Sequence, residues 1–339
     1  MLKNCEDATG DKWGMLSETG CYEEVRLAQD LYRLLPDLMK KAHVNAISTY
    51  VPRVTMTMYQ FCHELTALSS GIRITASEGK QFSYLLRCFT ADTIYAAYRD
   101  KGNWREVSER LMDSIVSPEP AKSILGPCQD LTDRQLRKLT LDIYDILQSL
   151  TAFGMPAPTD EFMSESDYRA CWEVDNLEHY LRNTVTPLSS LAGKATSPLL
   201  ARIIADADAS LGSRLIDRTM KDAAMDTTDI AEASDANFYF GHAETLMPLL
   251  SLMRIPGCFD DSDDYATLSN RWKDYETVPL GANLDIILFE SGKGNIYTAV
   301  RHNGTFVPPM EGNDRLIISW SDYKAYLIGL IMNQEHTRH

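Results

Sequence analysis

Apolar residues keep a helical period along most of this chain and turn strand-like only towards its two ends. From Cys21 to Ala42, Val25, Ala28, Leu31, Leu35 and Leu38 share one face and predict a helix. Val44–Ser48 reads as a short buried strand. Val54–Ser69 returns to helical spacing, with Val54, Met58, Phe61, Leu65 and Leu68 inward, and Gly71 closes it before a second strand at Ile72–Thr75. From about Glu78 to Leu211 the pattern is almost wholly helical, in segments 80–99, 103–115, 130–152, 164–182 and 197–211. Prolines 118, 120, 127, 156, 158 and 187 punctuate that stretch. Strands return at Phe238–Phe240, 284–290 and 296–302, the last two joined through Ser291–Asn295. Asn303-Gly304 marks a tight turn into a short strand, Thr305–Val307, and Trp320–Met332 closes the chain as a helix.

Strand–helix units on both sides of a helical stretch predict an α/β fold: a sheet flanked by helices, with a large inserted α-helical cap. The boundaries this implies are 1–77 and 212–339 for the two parts of the α/β core and 78–211 for the cap. No internal repeat or low-complexity linker interrupts them.

Composition narrows the partners. Thirty-three basic against 48 acidic residues give a net charge of −15, which argues against a general binder of nucleic acid or anionic membrane. A small anionic substrate stays open, because a few clustered arginines can dominate one site. No apolar run approaches the ~20 residues of a membrane span, and Met1-Leu2-Lys3-Asn4-Cys5-Glu6-Asp7 is too polar for a signal peptide. Seven cysteines (5, 21, 62, 88, 128, 171 and 258) show no CxxC and no metal-type spacing. Their odd number leaves at least one thiol without an internal partner, and most are expected to be buried or free.

The most informative stretch is Asn237–Leu250. A short apolar strand meets Gly241, then His242 and Glu244 stand where a helix begins, with Leu246, Leu249, Leu250 and Met253 on its buried face. Free N–H groups and the helix dipole favour negative charge at such a junction. There His242 can donate to an oxyanion and Glu244 can protonate a leaving alkoxide. The plainer alternative is a capping His and a first-turn Glu that complements the dipole. A zinc site would need further ligands at recognisable spacing, and the other histidines offer none.

Ser48-Thr49-Tyr50-Val51-Pro52-Arg53 repeats the arrangement: a buried strand, a polar turn and a helix start. A cation is unfavourable at a helix N-terminus. A phosphate held through bidentate hydrogen bonds would explain Arg53 there; a side chain leaning outward, or paired with a carboxylate, would explain it equally. His63 and Glu64 suit the polar border of their helix; Arg73 and Arg87 could line a cap-facing wall, but a place on the surface is the plainer account. Arg301-His302-Asn303-Gly304 reads as hairpin chemistry. No Gly-rich phosphate loop and no GxSxG elbow is present.

Gly241-His242-Ala243-Glu244-Thr245-Leu246 resembles the C-terminal signature of the histidine acid phosphatases, in the HAE branch that includes multiple inositol polyphosphate phosphatases and related phytases. Gly14-Met15-Leu16-Ser17 with Gly20 and Glu23 resembles that family's G-x-L-T-x-x-G-x-x-E segment. Ser48-Thr49 through Arg53 is similar to its S-T-x-x-x-R block, and Val278–Leu284 leading into the strands up to Val307-Pro308 to its C-terminal sheet. The resemblance implies a phosphomonoester hydrolase acting on inositol polyphosphates. Arg53 and His242 would bind phosphate, Glu244 would donate the proton, and no cofactor or metal is called for. It also suggests a secreted, periplasmic or lumenal protein, although the residues alone leave the compartment open.

One departure matters. The family's nucleophilic His sits in an R-H-G-x-R-x-P motif that precedes the G-x-L-T segment, and no such motif occurs here. Three expectations follow: part of a longer active phosphatase, a chain that binds a phosphorylated ligand without cleaving it, or a helical interaction module. Lacking the first core strand, the sheet is expected to leave an edge uncovered and to favour self-association.

Overall fold

The computed structural model describes residues 14–126, 130–151, 155, 159–212 and 234–336. It begins with helices α1 (Glu18–Leu34) and α2 (Pro36–Met39), strand β1 (His43–Ser48), helix α3 (Pro52–Leu68) and strand β2 (Arg73–Glu78). The single helix expected over 21–42 is thus two. Pro36 disfavours the helical region for the residue before it, and Leu35 sits at φ −125°, ψ 55°. The second strand runs three residues beyond the expected Thr75, because it pairs with all of β1 up to Ser48↔Glu78.

Only helices lie between β2 and the next strand among the described residues: α4 (Ser83–Leu86), α5 (Cys88–Ala91), α6 (Thr93–Lys101), α7 (Trp104–Ile115), α8 (Glu119–Leu125), α9 (Asp133–Thr151), α10 (Thr159–Phe162), α11 (Glu165–Asn183) and α12 (Leu191–Ser210). The helix expected over 80–99 is broken at two points. Arg87 leaves the helical region (φ −144°, ψ 39°), and Asp92 caps α6 by accepting from Ile94 and Tyr95 N–H at 2.9 Å each. Helix α8 was hidden by its prolines: Pro120 stands at the start, where a missing N–H costs nothing.

After residue 233 come β3 (Ala236–Phe240), α13 (Ala243–Leu252), α14 (Asp274–Thr277), β4 (Leu284–Glu290), β5 (Ile296–His302), β6 (Thr305–Val307), β7 (Ile317–Ser319) and α15 (Trp320–His336). Asn303 and Gly304 both take positive φ (47° and 81°), as the tight β5–β6 turn requires. Strand β7, at three residues too short to carry a pattern, pairs with β5.

The first sheet is parallel, in order β2-β1-β3; the second is antiparallel, β4-β5-β6 with β7 on β5. In the parallel sheet Ser48 lies opposite both Glu78 and Phe240. The three segments that leave the strands' C-terminal ends therefore emerge side by side, which is where ligands bind in open α/β sheets.

Packing fixes these ends. Leu199, Leu200 and Ile204 of α12 join Leu249, Leu250 and Met253, Val300 of β5, and Tyr323 and Leu327 of α15 in the main buried cluster. Helix α13 carries Pro248 inside it, an interior proline that costs about 3 kcal/mol. Burial of Met247, Leu249, Leu250 and Leu252, at about 2 kcal/mol each, outweighs that cost. A second cluster joins α1, β1 and α3 through Ala28, Leu31, Val44 and Leu65. A third, built on Met112, Tyr144, Leu147 and Val174, holds α7, α9 and α11 together. The hydroxyl of Tyr239 on β3 donates to Asp206 of α12, which also receives Arg202 Nε at 2.8 Å.

Candidate functional site

Three strand ends bring the chemistry together: Thr49–Arg53 after β1, Gly79–Arg87 after β2, and Gly241–Glu244 after β3. Gly241 eases a close approach, since a Cβ there would lie 3.2 Å from the Leu86 carbonyl oxygen, tight enough to push the two segments slightly apart. The Thr245 hydroxyl donates to that same oxygen at 2.9 Å. This seats the 83–89 segment directly against the start of α13.

His242 is the N-cap residue of α13, in extended conformation, and its side chain makes no capping bond. The ring turns instead to the β1 end, where Nε2 lies 3.4 Å from Thr49 Oγ1. Phe89 packs edge-on against it, ring centroids 5.3 Å apart. Burial pushes the His242 pKa down to about 4; Glu244 opposes this, and the charges of Arg53 and Arg87 add to it. Near neutral pH the site therefore holds a neutral imidazole facing two arginines. A bound dianion would neutralise those arginines and favour the imidazolium.

Arg53 is exposed at the start of α3. Its guanidinium makes no ion pair among the described residues, which removes the carboxylate-paired alternative and agrees with a side chain that leans outward, where a phosphate could also meet it. Arg87, for which the surface was the plainer account and a cap-facing wall the alternative, is half-buried and beside His242. Its Nη1 donates to Tyr50 OH at 2.5 Å, and its guanidinium lies over the rings of Tyr50 and Phe89. Lys80 covers the Tyr50 ring at 5.6 Å.

Glu244 stands in the first turn of α13, its carboxylate 3.9 Å from Arg99 Nη2. Arg99 comes from α6, stacks over Phe89 at 4.9 Å and donates from Nε to Asn183 Oδ1 at 3.0 Å. A chain of net charge −15 thus gathers Lys80, Arg53 and Arg87 at this crevice around Glu244 and a neutral histidine, with Arg99 set back behind Phe89 and Glu244. Such a set can hold an oxyanion and offer a proton to a leaving group.

The remaining candidates lie elsewhere. His63 is exposed, and Glu64 accepts from Gln29 at 2.8 Å, as a helix border would have it. Arg73 opens β2, at the end of the sheet away from the crevice. Arg301 is buried in ion pairs with Asp285 across the hairpin (2.7 Å) and with Asp30 of α1 (2.8 Å). His302 sits behind it and bonds the Thr277 carbonyl at 2.8 Å. The five cysteines among the described residues are free; Cys5 and Cys128 lie outside those residues. A grouping that sequence spacing concealed is Asp175, His179 and Asp274, whose potential ligand atoms all lie within 4.8 Å of one another. His179 Nδ1 and Asp274 Oδ2 are already hydrogen-bonded there at 2.9 Å. Among the described residues no helix is long and apolar enough to cross a membrane.

The family profile of the histidine phosphatase superfamily (branch 2) matches residues 72–303. No curated protein matches the sequence. The multiple inositol polyphosphate phosphatase of Bifidobacterium longum, solved in complex with inositol hexasulfate, superposes with a TM-score of 0.75 at 13% identity, over 96% of this chain and 82% of that one. Its apo form gives 0.73 at 14% identity with the same coverage. The phytase from D. castellii gives 0.59 at 14% identity, over 92% of this chain and 63% of that one. These likenesses place the mixed α/β fold with that of the histidine phosphatases.

Proposed function

The chain belongs to the histidine phosphatase superfamily (branch 2), and we propose that its crevice binds phosphomonoesters of the inositol polyphosphate class. Arg53 and His242 cradle one phosphoryl group, and Glu244 donates the proton to the departing alkoxide. The observation that carries this reading is the convergence of Thr49, Arg53, Arg87, His242 and Glu244 at three adjacent strand ends, with His242 Nε2 3.4 Å from Thr49 Oγ1. Phosphoryl transfer draws mainly on positioning and charge neutralisation, which arginines and a histidine around the phosphate supply. The structure solved with inositol hexasulfate in the B. longum protein supports a highly charged inositol ligand here too. Segment 78–211 then acts as the roof of the site, rooted in the core through α12.

Transfer through a phosphohistidine needs a second histidine in line with the phosphorus. The sequence holds no R-H-G-x-R-x-P motif, and none of the described residues places another imidazole against His242. This favours a second reading for the chain by itself: a phosphate-binding site that holds a phosphomonoester without turning it over.

One experiment separates the two. Purified protein is assayed for phosphate release from phytate and p-nitrophenyl phosphate, alongside His242→Ala and Glu244→Ala. Turnover abolished in both variants establishes hydrolysis by these residues. Phosphate-dependent thermal stabilisation that Arg53→Ala removes, without turnover, establishes binding alone. The absence of both effects would sink the phosphate reading and leave an interaction module.

A further inference from the structure

Beyond the cradle for one phosphoryl group, the roof contributes cations that the cradle does not use. Tyr95 OH donates to the Arg182 carbonyl at 3.1 Å and Tyr98 OH to the Leu181 carbonyl at 3.0 Å, which docks α6 on the end of α11. That docking lets Arg99 Nε reach Asn183 Oδ1 at 3.0 Å and brings Arg99 beside Arg182. Arg182 lies over the Trp104 ring at 5.0 Å, and its Nε is buried with no hydrogen-bond partner among the described residues. Burial and the neighbouring charges of Arg99 and Arg105 hold its pKa below the usual arginine value, while Glu178 and Glu244 oppose them.

The local carboxylates are largely committed or distant. Glu178 accepts from Ser108 at 2.6 Å, and Glu244 stands at 3.9 Å from Arg99, too far for a hydrogen bond. Arg105 is taken up by the Asp100 carbonyl at 2.8 and 2.5 Å. Arg99 and Arg182 therefore remain as adjacent part-buried guanidinium groups, opposed by the charges of Glu178 and Glu244 but hydrogen-bonded to neither. A buried donor without an acceptor, amid like charges, calls for an anion. Arg99 also stacks on Phe89, the ring that packs edge-on against His242, so an anion held there would stand next to the one in the cradle.

We propose that Arg99 and Arg182 form a second anion subsite, which takes another phosphoryl group of the ligand whose first group sits at Arg53 and His242. This rests on the phosphate reading of the cradle. It makes Arg99 and Arg182 specificity-determining residues: they select ligands with several phosphates over those with one. The occupant of the second subsite draws Arg99 away from Glu244, so the same event that orients a polyphosphate releases the carboxyl group from its cation.

Isothermal titration of the full chain with orthophosphate and with myo-inositol hexakisphosphate tests this, using Arg99→Gln, Arg182→Gln and Arg99→Lys. Loss of one charge-assisted contact predicts about tenfold or more weaker hexakisphosphate binding in either Gln variant. Orthophosphate affinity should change by less than about threefold, the range left to screened, longer-range charge effects. Arg99→Lys keeps the charge and should recover most of the hexakisphosphate affinity. It also guards against misfolding, which circular dichroism checks in each variant. Arg73→Gln, at the far end of β2, should leave the ratio of the two affinities unchanged and so reports the bulk-charge effect. A ratio that Arg99→Gln and Arg182→Gln do not move, in a protein that still binds orthophosphate, overturns the second subsite alone. A wild-type chain that binds neither ligand overturns the cradle and the subsite together.

Discussion

Thr49 Oγ1 and His242 Nε2, 193 positions apart in the chain, meet at 3.4 Å. Each follows the end of a strand of the parallel sheet, and the Ser48↔Phe240 pairing brings them together. Thr49 is fully buried, and its carbonyl also receives the Thr55 hydroxyl at 3.1 Å. Thr49→Val keeps the shape and removes the partner of the imidazole. Leaving a part-buried nitrogen unsatisfied should cost about 1 kcal/mol of stability, measured by urea unfolding. The same change should weaken orthophosphate binding, because the ring is then free to rotate out of the cradle.

Acid should weaken the protein through His242. Its folded pKa of about 4 lies below the unfolded value near 6.5. Above pH 6.5 the ring is neutral in both states and its contribution is fully present. Between about 6.5 and 4 the unfolded chain takes up the proton first, so that contribution is lost as pH falls. Chemical denaturation at pH 7.5 and pH 4.5 should show His242→Asn losing less stability than wild type over this interval. An equal loss in both proteins would contradict the neutral imidazole.

His179 predicts the opposite slope. Burial works against its charged form, yet the hydrogen bond to Asp274 and the charges of Asp175 and Asp274 outweigh burial and Arg182, and its pKa is raised above 6.5. Asp145 of α9 also faces it. The stabilisation is fully present below pH 6.5 and is lost as pH rises through the raised folded value. It ties α11 to α14. His179→Gln should therefore be more damaging at pH 5.5 than at pH 8.5 in thermal unfolding, and an unchanged penalty would exclude the ion pair.

Gly71 supplies a control remote from the crevice. A Cβ there would stand 2.2 Å from the Lys40 carbonyl oxygen, a backbone atom that cannot swing aside. Gly71→Ala should cost about 1–3 kcal/mol of stability while the folded fraction binds phosphate with unchanged affinity.

Much of this was legible in the sequence because it depends on local pattern. The buried strand Val44–Ser48, the hairpin around Ser291–Asn295 and the Asn303-Gly304 turn follow from alternation and turn chemistry. The strand–Gly–His start of α13 was legible in the same way. Arg87 was legible only as one of two alternatives, and Arg99 was not legible, because nothing in their own segments aims them inward. Arg87 faces His242 only because the helix breaks at that residue and Gly241 admits Leu86. Arg99 reaches Glu244 only because α6 docks on α11 through Tyr95 and Tyr98. The Asp175–His179–Asp274 grouping spans 95 positions between His179 and Asp274, and no motif spacing can reveal it. The breaks at Leu35 and Asp92, by contrast, followed rules for proline and for caps that periodicity alone overrode.

The central claim is that His242 and the arginines around it hold phosphate. Its most direct test is an NMR titration of the His242 ring nitrogens against pH, with and without saturating orthophosphate. In the free protein the ring should titrate near pH 4. A bound phosphate dianion should raise that midpoint by at least about one pH unit, and Arg53→Ala, by weakening binding, should reduce the rise at a fixed phosphate concentration. A midpoint that phosphate leaves unmoved, in protein shown to be folded, would contradict the account.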